Sequence, residues 1–112
     1  MGMDTNPNPI TFIPDVRAGT VVDPGRPHHT KVLSAPGVRV VVLTFEAGYV
    51  LREHTTPAML LLQVLDGRVR ITAADQVTEL APGGLLRLDA ALPHTVEALE
   101  ESRLMLTMVG TP

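Results

Sequence analysis

Two histidines stand where apolar, strand-forming sequence begins, and their positions frame the chemistry open to this chain. His54 closes the stretch Gly48-Tyr49-Val50-Leu51-Arg52-Glu53 and leads through Thr55-Thr56-Pro57 into Ala58-Met59-Leu60-Leu61-Leu62, a run that must be buried. His94 opens His94-Thr95-Val96-Glu97-Ala98. A period of two there puts His94 with Val96 and Ala98, opposite Thr95 and Glu97, so the imidazole points inward. A buried imidazole needs partners for its nitrogens. It is also the common protein ligand for Zn, Cu, Fe and Ni. Three readings follow: a metal pair, a pair of hydrogen-bonding groups in a metal-free ligand pocket, or a structural pair bonded to each other, to Thr56 or to trapped water.

The elements that must position them read as strands. Ten prolines and nine glycines punctuate the chain. Between them lie runs rich in Val, Leu, Ile and Thr, and the pattern predicts strands near 10–13, 19–22, 30–33, 38–45, 49–54, 58–65, 68–73, 76–80, 84–88, 94–99 and 102–109. Many short strands with turn signals between them mean an all-β sandwich or barrel. Asp66-Gly67 reads as a tight hairpin, because glycine supplies the positive φ such a turn requires. In 102–109, Leu104, Leu106 and Met108 share one face, and Arg103, Met105 and Thr107 share the other. The competing reading is a helix over 56–65, for which Pro57 and Asp66-Gly67 leave barely two turns.

Composition narrows the classes. At 112 residues and 12.0 kDa, residues 10–112 read as one domain behind a flexible tail at 1–9. A chain of this size buries roughly two-thirds of the surface its unfolded form exposes, enough for one core. There is no cysteine, which excludes disulfides, thiolate metal sites and thiol nucleophiles. The hydrophobic share of 45% and mean hydropathy of +0.20 describe a globular protein. A net charge of −3 and only three aromatic side chains, Phe12, Phe45 and Tyr49, offer neither a phosphate-tracking surface nor a stacking platform, so nucleic acid is not an expected partner. No apolar run approaches the roughly 18–20 residues that cross a bilayer, and the first residues lack the charged and apolar regions of a signal peptide. The expected location is the cytoplasm, with no membrane partner.

With these residues in view, the chain resembles the cupins. Gly48, five residues, His54, and then Gly67 resemble the first cupin motif, in which glycine is followed after five residues by His-x-His, three or four residues, glutamate, six residues and glycine. The stretch Leu80-Ala81-Pro82-Gly83-Gly84 through Pro93-His94-Thr95-Val96-Glu97-Ala98 resembles the second motif. The resemblance covers about 38–109 and implies a double-stranded β-helix, or jelly-roll, barrel. Metal-binding cupins use three histidines and one glutamate aimed into the barrel. Here His54 matches the first histidine and His94 that of the second motif, while Thr56 stands for the second histidine and Leu60 or Leu61 for the glutamate.

The resemblance therefore implies a reduced site. Its metal ligands would be His54 and His94, holding a divalent transition metal such as Zn, Ni, Fe or Mn. An enzyme built on it would be of the metal-dependent oxygenase or isomerase type; the alternative is a binding or sensing module without metal or catalysis. Zinc usually takes three or more protein ligands, and non-haem iron two histidines and a carboxylate. His28 and His29, in a proline-rich loop, are expected to face water, the alternative being that one completes the site. Glu53 and Glu97 alternate to the outer face, so neither is assigned as a general base. The lining is otherwise apolar, from Leu60, Leu62, Met59 or Met105, Met108, Leu86 and Leu88. Thr56, Leu60, Gln63 and Met108 are the expected ligand pocket, with the direction of Gln63 left open. Such a cavity at a barrel mouth suits a small, largely apolar molecule with one polar handle, with Arg52, Arg70 and Arg87 as the available cations. Edge strands and the apolar segment Ile10-Thr11-Phe12-Ile13 point to a homodimer.

Overall fold

The computed structural model describes residues 9–110, with the side chains at positions 53 and 54 outside the description. Nine strands form: β1 (His28–Ala35), β2 (Val38–Phe45), β3 (Val50–His54), β4 (Met59–Asp66), β5 (Val69–Ala73), β6 (Gln76–Leu80), β7 (Leu86–Leu88), β8 (His94–Ala98) and β9 (Ser102–Val109). Among the described residues there is no helix, so none is long and apolar enough to cross a membrane. Residues 59–66 are a strand, and the helical alternative does not form. The strands make two sheets, ordered β1-β2-β9-β4-β7 and β3-β8-β5-β6. All neighbours within the sheets pair antiparallel. This is the all-β architecture that the alternation and the turn signals predict, in the jelly-roll form that the resemblance implies.

The core lies between the sheets. Phe45, Leu60, Leu62, Val64 and Leu104 come from one sheet, Val69, Ile71, Val96 and Ala98 from the other, and none is more than 3% exposed. Each such side chain contributes roughly 1.5–3 kcal/mol relative to exposure. The Phe45 and Tyr49 rings stack at 5.7 Å between centroids and extend this core toward β3.

Two expected strands do not form. Residues 10–13 carry no ladder, residues 16–19 are a turn, and 20–22 are extended without pairing. This segment instead crosses the outer face of the five-stranded sheet, held by side chains. The fully buried Thr44 hydroxyl donates to Val21 O at 2.5 Å, and Arg103 Nε donates to Thr20 Oγ1 at 2.7 Å. Val42, on the face of Thr44, is also fully buried. The expected strand at 30–33 is longer and opens at His28.

His28 Nε2 meets Asp23 Oδ2 at 2.9 Å and closes the same clasp. The hydrogen bond from His28 is the main reason the Asp23 carboxyl is held below its ordinary value of 3.8. An acid whose folded-state value is depressed stabilises above its unfolded value and loses that contribution as pH falls through the folded one. Docking of residues 20–28 is therefore expected to loosen as pH drops below 3.8. Hydrogen exchange at those amides checks this, and Asp23→Asn should remove the pH dependence.

Asp66-Gly67 is not a hairpin, because β4 and β5 lie in different sheets. Gly67 does take a positive φ of 90°, but it uses it to carry the chain across the barrel edge. There the Arg68 N–H donates to the buried Ser102 Oγ at 3.0 Å. Two-residue hairpins join β1 to β2 at Pro36-Gly37 and β5 to β6, where Ala74 and Asp75 have φ of 51° and 61°.

Candidate functional site

β3 and β8 are neighbours, and their register sets His54 opposite His94. The side chain of His54 lies outside the described residues. Strand alternation places His94 inward as expected: His94, Val96 and Ala98 are each no more than 3% exposed, while Thr95 and Glu97 are half-buried. His94 Nδ1 sits 3.0 Å from Leu92 O. A carbonyl only accepts, so Nδ1 carries the proton, and in the neutral ring the lone pair is on Nε2, the atom that can accept a hydrogen bond or ligate a cation. A backbone carbonyl orienting the remote nitrogen is the arrangement ligating histidines commonly have.

The rest of the donor set does not match a four-ligand centre. The register of β4 settles which leucine faces the barrel: Leu60 is 3% exposed and lies in the core, while Leu61 takes the opposite face. The Thr56 hydroxyl donates to Ala58 O at 3.0 Å. His28 is engaged with Asp23, and His29 is an exposed residue of the edge strand β1. Glu97 accepts from Arg70 Nη1 at 3.0 Å on the outer face. Arg70 and Arg68 also donate to Glu79, holding its carboxyl below the usual range. Among the described residues no group of three His, Asp or Glu could hold a metal. Among the described residues the donors do not make up the four-ligand centre that the resemblance implies.

A cavity of about 540 Å³ opens at the barrel mouth, walled by the end of the β1–β2 hairpin, the β3–β4 turn and the end of β9. Thr56 and Met108 line it. The β3–β4 turn is fixed to the loop before β8 by Ala91 N–H donating to Thr56 O at 2.8 Å. Two expected pocket residues lie elsewhere. Leu60 is core, the direct cross-strand partner of Met108. Gln63 falls on the outer face, because Leu60, Leu62 and Val64 take the inner one.

Sequence reasoning missed Arg39, which lines the cavity. Cross-strand pairing puts Ser34, Arg39, Met108, Leu60 and Leu88 in one row across the sheet. Since Leu60 and Leu88 are buried, that row faces inward. Of the expected cations, Arg70 is paired outside and Arg87 with Asp89.

A scan against protein-family models finds no match, and a search of curated proteins finds none either. Solved structures do match. A conserved protein of unknown function from Streptococcus pyogenes is 18% identical, with 96% of this chain and 94% of that one covered and a TM-score of 0.79. A cupin superfamily protein from Desulfitobacterium hafniense is 18% identical over 78% of this chain and 80% of that one, with a TM-score of 0.72. Salicylate 1,2-dioxygenase from Pseudoaminobacter salicylatoxidans is 15% identical, covering 74% of this chain but 26% of the enzyme, with a TM-score of 0.67. The chain thus has the cupin fold.

Proposed function

We propose that the protein binds a small, largely apolar organic molecule in its barrel mouth. The observation that carries this reading is the cavity of about 540 Å³, in the size range of small-molecule sites, with Met108, Val38, Pro57 and Ala58 among its walls. The name of salicylate 1,2-dioxygenase, which describes chemistry on a small organic molecule, is consistent with it. Fragment binding followed on methyl-labelled methionine tests it. The Met108 signal should shift saturably, while that of Met105, on the outer face of β9, stays still. Ala58→Phe, which fills the cavity, should abolish the shift. No fragment moving Met108 would remove the reading.

A second reading has its own observation: His54 and His94 are register partners, and the Leu92 carbonyl fixes the His94 ring. In this reading the pair holds a divalent transition metal weakly, with remaining positions filled by water or by the bound molecule. Elemental analysis of untagged protein incubated with Zn, Ni, Mn or Fe(II) checks it beside His54→Ala and His94→Ala. Metal retained by the wild type and lost from both variants supports the pair. Equal retention by all three rejects it.

A further inference from the structure

We propose that Arg39 makes the barrel mouth a receptor for organic carboxylates, with the anionic head on the guanidinium and the apolar body against Met108 and Ala58. The proposal rests on the small-molecule reading and names its ligand class. Arg39 is solvent-exposed, yet its register places it in the inward row of β2 at the open end of the sheet. Arg39 occupies the first inward position of β2 after the β1–β2 hairpin, in one row with Met108 and the buried Leu60.

Its electrostatic surroundings set it apart. Arg17 and Arg103 engage Asp66, Arg26 engages Asp23, Arg68 and Arg70 share Glu79, and Arg87 engages Asp89. Among the described residues, Arg39 has neither an ion pair nor a side-chain hydrogen bond. It thus presents its fork of donors at a cavity whose wall, among the described residues, holds no carboxylate. A guanidinium fork matches the two oxygens of a carboxylate, and the charge-assisted pair is among the stronger hydrogen bonds. The Thr55 and Ser34 hydroxyls on the same wall can serve the oxygens' remaining lone pairs. Methionine and alanine beside them favour an acid with an apolar body over a bare inorganic anion. The bland alternative is that Arg39 only solvates the rim, its stem along apolar surface and its head in water. A rim-solvating arginine gives no selectivity between an acid and its neutral analogue.

The test is a matched pair, para-toluate and para-toluamide, titrated against full-length protein with methyl-labelled methionine. Met108 should report para-toluate at least about tenfold tighter than the amide. Arg39→Gln should abolish that preference by weakening the acid about tenfold while leaving the amide unchanged, and Arg39→Lys should keep part of it. Raising salt from about 50 mM to about 500 mM should weaken the acid alone. Inorganic phosphate should not compete, and competition as strong as that of para-toluate would overturn the assignment to an organic acid. Equal binding of acid and amide, or an unchanged Arg39→Gln variant, would overturn the proposal while leaving the small-molecule reading intact. Should neither compound move Met108, nor any fragment, the reading and this proposal fall together.

Discussion

Gly67→Ala is expected to lower the thermal midpoint by roughly 12–20 °C, the equivalent of about 3–5 kcal/mol in a domain of this size. Two costs combine. Gly67 sits at φ 90°, where a side chain is strained whatever the space around it, by roughly 1–2 kcal/mol. A methyl group there would also lie 2.3 Å from both Glu101 O and Ser102 Oγ, and 2.7 Å from Ser102 Cα. Ser102 cannot retreat. It is fully buried, its hydroxyl donates to Glu100 O at 2.7 Å, and it receives the Arg68 N–H. Relief would have to come from the crossover itself, which carries the chain from the five-stranded sheet to the four-stranded one. Gly83→Ala is the control: its φ is 98° with nothing within 4 Å, so only the conformational cost of about 1–2 kcal/mol remains. Thermal and urea unfolding of both variants separate the two terms. Equal losses would mean that close approach contributes nothing at Gly67.

The same residue shows where sequence stops informing on structure. A positive φ at Gly67 is legible in Asp66-Gly67, since glycine meets it at least cost. Whether that turn folds β4 onto β5 or sends the chain to another sheet is not a local property. It depends on Ser102 and Arg68 meeting across 34 positions. The inward direction of His94 was legible because His94-Thr95-Val96-Glu97-Ala98 alternates cleanly between an apolar and a polar face. Arg39 and Gln63 were not, for a shared reason. In Val38-Arg39-Val40-Val41-Val42-Leu43 and in Met59-Leu60-Leu61-Leu62-Gln63-Val64, apolar residues occupy both faces, which erases the period of two. On β2 the cause is visible: the outer face is covered by the segment around Thr20 and Val21, so Val42 and Thr44 are buried as deeply as the inward Val41 and Phe45. That covering segment was itself misread as strand. Its attachment runs through side chains of Thr44 and Arg103, far along the chain, and leaves no periodic trace in Gly19-Thr20-Val21-Val22.

Leu60→Glu is the variant that interrogates the site most directly, and it is expected to destabilise the protein by about 3 kcal/mol or more at neutral pH. Leu60 is 3% exposed, between Met108 and Leu88 in the inner row, so the substitution removes apolar contact and buries a carboxyl. Burial pushes that carboxyl's pKa upward. The sign follows from linkage. Below the unfolded value of about 4.3 both states are protonated, and only the packing loss remains. Above it the unfolded chain ionises first, and the destabilisation grows by up to about 1.4 kcal/mol per pH unit until the folded carboxyl ionises too. Leu60→Gln, similar in shape and without a charge, should show the packing loss with no such slope. A flat pH profile for Leu60→Glu would mean that water reaches this position. The restored carboxylate also stands where the family's glutamate would. If His54 and His94 present their imidazoles to the same space, zinc should return part of the lost stability, about 2.7 kcal/mol at a hundredfold excess over its dissociation constant. That rescue should vanish when His94→Ala is added. Zinc rescue of Leu60→Glu without any in the wild type would place the missing affinity in the leucine itself, with the pair of histidines competent to bind.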